Sequence, residues 1–186
     1  IGHLIPKNWT LYGEIVGYTS SGSAIQSMGG KDFDYGCSPE SLDEQYKSGH
    51  SVYKEKPQHK FYVYKISVTN PDGKVIYLTD AQIAEWCKTV GLLYEDTMLF
   101  YGKAKELYPI RKNGNVYKWQ QSFLEFLQNT YNEKDCCMCV NKVPEEGIVL
   151  RIESLFSYDA YKLKSKRFIL NENSELDNDV SNLEDE

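Results

Sequence analysis

The sequence predicts an α+β fold in which antiparallel sheets carry packed helices. Two segments, Trp9 to Gly17 and Phe61 to Thr69, are rich in β-forming residues and alternate in polarity, as half-buried strands do. The second leads into the turn Asn70-Pro71-Asp72-Gly73, where proline presets φ and glycine accepts a positive φ. Lys74 to Leu78 then returns as its hairpin partner. Helical spacing follows from Thr79 onwards, which completes the α+β pattern.

Two amphipathic helices are predicted. Thr79 and Gln82 form a capping box at the start of the first helix, which ends before Gly91. Its apolar residues recur at helical spacing at Ile83, Trp86, Cys87 and Val90. The second helix extends from about Tyr117 to Thr130, and its stripe consists of Trp119, Phe123, Phe126 and Leu127. We interpret both stripes as core rather than as a cofactor site.

Two further strands are expected near the C-terminus, at Gly147 to Glu153 and at Ala160 to Leu170. The connection from Tyr18 to Lys60 is long for a compact domain, so it is functional, disordered, or contains short strands. The segment from Asn171 to Glu186 is polar and acidic, and we expect it to form a solvated tail that is helical in part.

The net charge of −6 is unevenly distributed along the chain. The last sixteen residues hold seven acids and no base, which leaves 21 basic against 20 acidic residues in the body, a charge of +1. The charge therefore excludes neither a phosphate-bearing ligand nor a protein partner.

No apolar run approaches the roughly 18 residues of a membrane span, and the N-terminus lacks signal-peptide features. The five cysteines, an odd number, suit a reducing compartment better than a secreted protein held by disulfides. Together, these features lead us to expect a cytoplasmic protein without a membrane partner.

Several predicted strands carry charges that are costly to bury without a partner. In a strand, Lys162, Lys164 and Lys166 would point to one face. Three like charges in one row fit a polyanion lying over them, such as a triphosphate or a nucleic-acid backbone. A solvated edge strand explains the same row equally well. Likewise, Glu14 alone fits a salt-bridged core acid, and Glu146-Gly147 alone fits a turn.

Taken in order, four segments resemble motifs III, IIIa, IV and V of the covalent nucleotidyltransferases, which comprise DNA ligases, RNA ligases and mRNA capping enzymes. The likeness covers Tyr12 to Phe168 and is greatest to the phage-type ATP-dependent RNA ligases. It implies a partial nucleotidyltransferase domain, similar to an ATP-grasp-like ligase domain, in residues 1–170, followed by an acidic tail in residues 171–186. The segments are Tyr12-Gly13-Glu14-Ile15-Val16-Gly17, Phe61-Tyr62-Val63-Tyr64-Lys65-Ile66, Glu146-Gly147-Ile148-Val149-Leu150-Arg151 and Ala160-Tyr161-Lys162-Leu163-Lys164-Ser165-Lys166-Arg167-Phe168.

The resemblance implies a role for each matching position. Glu14 would contact the ribose of ATP, and Tyr64 would stack on the purine, an interaction of about 1–3 kcal/mol per base. Glu146 would help to hold Mg²⁺ beside the phosphates. Lys162 and Lys164 would neutralise the α-phosphate as negative charge develops. ATP and RNA ends would be the substrates of strand joining through lysyl-AMP and RNA-adenylate intermediates.

Two features depart from the family pattern. Lys65 stands where an acid is usual, and the nucleophilic lysine motif, Lys-x-Asp/Asn-Gly, does not occur in the 186 residues. The chain also starts at Ile1 and soon enters strand-like sequence. We therefore expect the C-terminal portion of a catalytic domain, with the nucleophile in an upstream segment, and no self-adenylation by this chain alone.

Other interpretations stay open. Within the enzyme class, the chain could belong to a DNA ligase or a capping guanylyltransferase. Outside it, the chain could be a non-catalytic nucleotide- or RNA-binding module derived from a ligase. Cys136 and Cys139 form a Cys-x-x-Cys pair, which is either half of a Zn²⁺ site, with Cys37 as a further candidate ligand, or a pair of ordinary reduced thiols.

Overall fold

A computed structural model describes residues 2–49, 55–95, 97–110 and 115–176. After a short 3-10 turn at Gly2–Leu4, the chain forms eight strands and five helices within these ranges. They are β1 (Trp9–Gly17), β2 (Ser27–Met28), β3 (Lys31–Asp32), α1 (Leu42–Lys47), β4 (His59–Thr69), β5 (Val75–Tyr77), α2 (Asp80–Val90), β6 (Leu93–Tyr94), α3 (Ala104–Leu107), α4 (Val116–Tyr131), β7 (Gly147–Glu153), β8 (Tyr158–Lys164) and α5 (Lys166–Leu176). The predicted α+β class is confirmed.

The main sheet is built around β4. Strand β1 pairs antiparallel along one side of β4, while β5 and β6 pair along the other, β5 antiparallel and β6 parallel. Turn residues 70–73 join β4 to β5 as predicted, with Gly73 at φ 79°. The parallel pairing of β6 was not predicted, because two residues carry too little pattern to be recognised as a strand.

A β-bulge interrupts the pairing of β1 with β4. Tyr12 lies opposite Lys65 and Gly13 opposite Val63, so Tyr64 is an extra residue without a partner in β1. Only glycine fits opposite the bulge, because a Cβ on Gly13 would lie 2.4 Å from the carbonyl oxygen of residue 62. The bulge lies in the pair of strands whose segments resemble motifs III and IIIa.

One core cluster lies between the main sheet and α2. It consists of Val63, Ile66, Ile83 and Cys87, all fully buried. Val63 and Ile66 are three residues apart, yet they share a face because the bulge adds a residue between them. The capping box at Thr79 and the left-handed Gly91 bound α2 as predicted.

Helix α4 also matches its predicted range within a residue at either end. Phe123 and Leu127 are buried, and the Trp119 ring stacks on Phe123 at 5.1 Å between centroids. The aromatic stripe is therefore core, as predicted. Within the described residues, no helix combines the length and the apolar character that crossing a membrane requires.

A second core cluster lies on the opposite face of the main sheet. It is formed by Val16, Met28, Phe33, Tyr35, Cys37 and Val143. Four of these six come from the long connection between β1 and β4, which holds β2, β3 and α1 in its described part. Among the alternatives for residues 18–60, the presence of short strands is confirmed.

The strand predicted over Ala160 to Leu170 is wrong in its second half. Strand β8 ends at Lys164, and α5 begins at Lys166. Ser165 is fully buried, and its hydroxyl accepts a hydrogen bond from the backbone N–H of Phe168 at 3.1 Å. This local bond starts a helix instead of continuing the sheet. The helix runs past residue 170, the boundary that we predicted for the acidic tail, and residues 177–186 lie outside the described part.

The β7–β8 hairpin is attached to the main sheet at the start of α2. Arg151 donates from Nη2 to the carbonyl oxygen of Leu78 at 2.8 Å, and the Glu153 carboxylate accepts from the backbone N–H of Asp80 at 3.1 Å. The rings of Tyr77 and Tyr158 meet edge to face at 5.4 Å. These contacts place the hairpin, which carries two of the motifs, beside the sheet that carries the other two.

Candidate functional site

Glu14 projects from β1 opposite Tyr62 and is exposed, so it is not a core acid. Its carboxylate accepts a hydrogen bond from Gln26 Nε2 at 2.9 Å. The carbonyl oxygen of the same amide accepts one from the Tyr35 hydroxyl at 2.5 Å. The second core cluster thus supports the amide that orients Glu14. Gln26 and Tyr35 could not be recognised in the sequence, because they lie in the long connection before β4.

Tyr64 is the bulged residue, and 46% of its surface is exposed. Within the described residues, its ring forms no aromatic pair and its hydroxyl no hydrogen bond. The structure therefore does not join Tyr64 to the other motif residues. Its neighbour Lys65 lies over the Tyr12 ring at 4.0 Å and near the Tyr77 ring at 5.3 Å. These rings stabilise a cation at the position where the family usually has an acid.

Glu146 and Lys162 form an ion pair, with 2.5 Å between Oε1 and Nζ. Glu146 immediately precedes β7, and Lys162 lies opposite Val149 in the hairpin, so Glu146-Gly147 starts a strand rather than a turn. Their side chains keep 35% and 52% of their surface exposed. A pair this accessible stabilises the fold by only about 0–1 kcal/mol, so a ligand can engage both charges at little cost.

Lys164 shares the hairpin face of Lys162 but has a different partner. Its ammonium contacts both oxygens of Glu172 in α5, at 3.0 and 3.1 Å. Lys166 does not continue the row, because it is the first residue of α5. The predicted row of three lysines is therefore reduced to two, of which Lys162 is paired with the motif acid Glu146.

Two acids that the resemblance did not include complete the site. Glu95 follows β6, and burial raises the pKa of its carboxyl group; the nearby charges of Glu14 and Glu145 raise it further, whereas Lys162 lowers it. Burial also raises the pKa of Glu145, and the backbone N–H of Cys137 opposes this shift. We call Glu14, Glu95, Glu145, Glu146 and Lys162 the charged cluster. Glu145 could have been found from its position beside Glu146, whereas only tertiary structure reveals Glu95.

The cysteine turn lies beside Glu145. The Cys139 thiol is hydrogen-bonded to the sulfur of Cys136, which lowers the pKa of Cys136 and raises that of Cys139. Cys37 belongs to the core cluster against which both of these thiols pack. In the described ranges, no three or more His, Cys, Asp or Glu side chains are grouped so as to hold a metal ion.

The structure also has surface cavities away from the charged cluster. One of about 420 Å³ is lined by Ser41, Leu42, Asp43, Pro57, Gln58 and His59. An apolar one of about 350 Å³ is lined by Ile5, Leu11, Ile15, His59 and Phe61. Neither contains a residue of the charged cluster. We assign the candidate site to the charged cluster rather than to either cavity, because the shape of a cavity alone does not indicate which ligand it binds.

The structure thus brings Glu14, Glu146 and Lys162 into one cluster and leaves Tyr64 and Lys166 outside it. Comparisons of the chain with protein-family models, with curated proteins and with solved structures find no match. The chemistry of the site is therefore argued from its own residues. Carboxylates next to an accessible ammonium can bind hydroxyl groups, a hard cation and phosphate oxygens.

Proposed function

We propose that this chain forms the ATP-binding part of the catalytic domain of an ATP-dependent RNA ligase, with RNA ends as its second substrate. The observation that supports this proposal best is the ion pair between Glu146 and Lys162, which joins two motif positions. The charges of Glu14, Glu145 and Lys162 also act on the partly buried carboxyl group of Glu95, although residues 14 and 95 are far from the hairpin in the chain. A row of surface charges with no common function would not need to converge in this way.

In this proposal, Lys162 and Lys164 receive the phosphates of ATP. Their ion pairs with Glu146 and Glu172 hold the two ammonium groups before the nucleotide arrives. Ordering of these flexible side chains in advance lowers the entropy cost of binding. Glu14 would accept a hydrogen bond from a ribose hydroxyl, and the Gln26 amide fixes its orientation.

Glu146 is the residue that fits a Mg²⁺ ion. Mg²⁺ is commonly held by one or two carboxylates together with substrate phosphates rather than by a protein cage, which agrees with a single accessible carboxylate beside Lys162. The ion would neutralise phosphate charge when bound. The chain's own residues would bind the nucleotide and position it.

ATP binding is the first test. We expect titration with ATP and Mg²⁺ to show binding, and Lys162→Gln to weaken it about tenfold or more, because a hydrogen bond to a charged group contributes about 1.5–3 kcal/mol. The variant should lose less than about 1 kcal/mol of stability, because the pair is exposed. Lys166→Gln is the matched control and should leave the affinity unchanged. Equal effects of the two substitutions, or no ATP binding, would contradict the proposal.

A non-catalytic nucleotide- or RNA-binding module is the second candidate, and the absence of Lys-x-Asp/Asn-Gly from these residues favours it. RNA carrying a preformed 5′-adenylate separates the two candidates, because its joining to a 3′-hydroxyl needs no lysyl-AMP. A ligase domain should join these ends with Mg²⁺, whereas a module should bind them without joining. Incubation with ATP should leave no AMP adduct in the intact mass of this chain.

A further inference from the structure

The turn that carries Cys136 and Cys139 is closed on itself and fastened to one loop of the second core cluster. The backbone N–H of Cys136 donates to the carbonyl oxygen of Val143 at 2.8 Å, which closes the turn on itself. The N–H of Val140 donates to the carbonyl oxygen of Asp34 at 2.7 Å. Asn141 adds a side-chain bond to the same loop of the second core cluster, from Nδ2 to the carbonyl oxygen of residue 32 at 2.7 Å. The two thiols are therefore held in a fixed relation.

Cys136 and Cys139 lie three residues apart in this turn, and both pack against the second core cluster. Hydrogen bonding from the Cys139 thiol and from the backbone N–H groups of Met138 and Cys139 lowers the pKa of Cys136. Such donors stabilise a thiolate. Both side chains are half-buried, and Cys137 between them is exposed. Small oxidants can therefore reach the pair from the solvent side of the turn.

We propose that Cys136 and Cys139 are an oxidation site that forms an intramolecular disulfide on reaction with a peroxide. The Cys136 thiolate attacks one peroxide oxygen, the O–O bond breaks, and the leaving oxygen departs as water after protonation. The sulfur of Cys139 then attacks the resulting sulfenic acid, the S–O bond breaks, and the thiol proton leaves with the hydroxide as a second water. Two thiols are oxidised and one hydrogen peroxide molecule is reduced to two waters.

The disulfide would also act on the charged cluster. In the reduced protein, hydrogen bonding from the backbone N–H of Cys137 and from the Cys136 thiol opposes the rise in the pKa of Glu145 that burial causes. The disulfide removes the thiol donor and keeps the backbone donor. The oxidation itself does not depend on the proposed ligase function, so the two proposals can fail separately.

Trypsin releases the three cysteines of the turn in one peptide, Asp135 to Lys142. The purified full chain is treated with hydrogen peroxide, denatured, and alkylated before digestion without reductant. We expect this peptide to carry one label, on Cys137, with two hydrogen atoms fewer, a loss of about 2 Da. After prior reduction it should carry three labels. Three labels in the oxidised sample would overturn the proposal.

Two variants identify the bonded pair. Cys137→Ser should still form the disulfide, and its peptide should carry no label after oxidation. Cys139→Ser should form none, and circular dichroism establishes that this variant is folded. A disulfide of Cys136 that persists in Cys139→Ser would mean that Cys136 pairs with a different cysteine, which contradicts the proposal. One zinc ion per purified chain, with thiols that peroxide leaves unchanged, would contradict it as well.

Discussion

Glu95 is an acid that is held next to other acids in a partly buried position. Its folded-state pKa is raised above the ordinary value of 4.5 by burial and by Glu14 and Glu145. Between pH 4.5 and this raised pKa, the folded state binds more protons than the unfolded state, so its stability falls as the pH increases. Below pH 4.5 both states are protonated and the penalty vanishes.

Glu95→Gln should therefore stabilise the protein at pH 7 and have little effect at pH 4. We expect a gain in the free energy of unfolding at neutral pH, because glutamine removes the cost of ionising a partly buried acid beside other acids. Denaturant unfolding of both proteins at several pH values measures it. Glu85→Gln, which changes an exposed acid of α2, should show no such gain. An equal effect at pH 4 and pH 7 would mean that ionisation of Glu95 is not its cause.

The residues of the site differ in how far the sequence reveals them. Glu14, Glu146 and Lys162 could be predicted because each charge interrupts or borders an apolar strand. Glu95 could not, because its environment is created by segments that are distant in the chain. The prediction that Lys166 lies in a strand is wrong. The alternation of lysines indicates a strand, and it gives no sign that Ser165 caps a helix.

Helix α5 begins with a cap that comes from another part of the chain. The Glu133 carboxylate accepts hydrogen bonds from the backbone N–H groups of Lys166, at 2.6 Å, and Arg167, at 3.1 Å. An acid here also interacts favourably with the positive end of the helix dipole. Glu133 thus ties the end of α4 to the start of α5.

Glu133→Ala should destabilise the protein by about 1 kcal/mol, the usual cost of losing a helix cap. Glu133→Gln, which keeps an acceptor oxygen, should lose less. Thermal unfolding measures both, and Glu125→Ala on the exposed face of α4 is the control. If Glu133→Ala melts at the same temperature as this control, the cap contributes nothing to stability.

At the scale of elements, most of the long ones could be predicted, and the short ones could not. Strands β1 and β7 and helix α2 have patterns that fill their whole length, and the structure reproduces their predicted bounds. Strands β2, β3 and β6 have two residues each. A pair of residues has no periodicity, so such strands are defined by their partners rather than by their own sequence.

Arg151 holds the two halves of the candidate site together. It donates to the carbonyl oxygen of Leu78, pairs with Glu153 at 3.0 Å and lies over the Tyr158 ring at 4.0 Å. Its side chain is only 19% exposed, so these interactions are little screened by solvent. The β7–β8 hairpin has two strands, and such a hairpin has little stability of its own.

Arg151→Ala should therefore loosen the hairpin before it unfolds the main sheet. We expect amide hydrogen exchange in β7 and β8 to become faster, while exchange in β1 and β4 changes little. The overall loss of stability should be about 1–3 kcal/mol. Uniformly faster exchange across both sheets would instead show that they unfold as one unit.

For the molecule as a whole, the sequence indicates the α+β class but not the assembly. The class follows from a change of periodicity along the chain, which is a local property. The docking of the hairpin depends on contacts such as Arg151 with Leu78, which join distant segments. Nothing in the local pattern distinguishes this arginine from a solvated one.

The extra residue in β4 has a consequence for comparing sequences. On the two sides of the bulge, Phe61 and Val63 share a face with Ile66. A chain without Tyr64 would show a plain alternation through these positions and could keep the same core. Aligning such a relative with this chain therefore requires a one-residue gap inside a strand, where gaps are usually penalised. A search that keeps the spacing across β4 fixed would miss this relative.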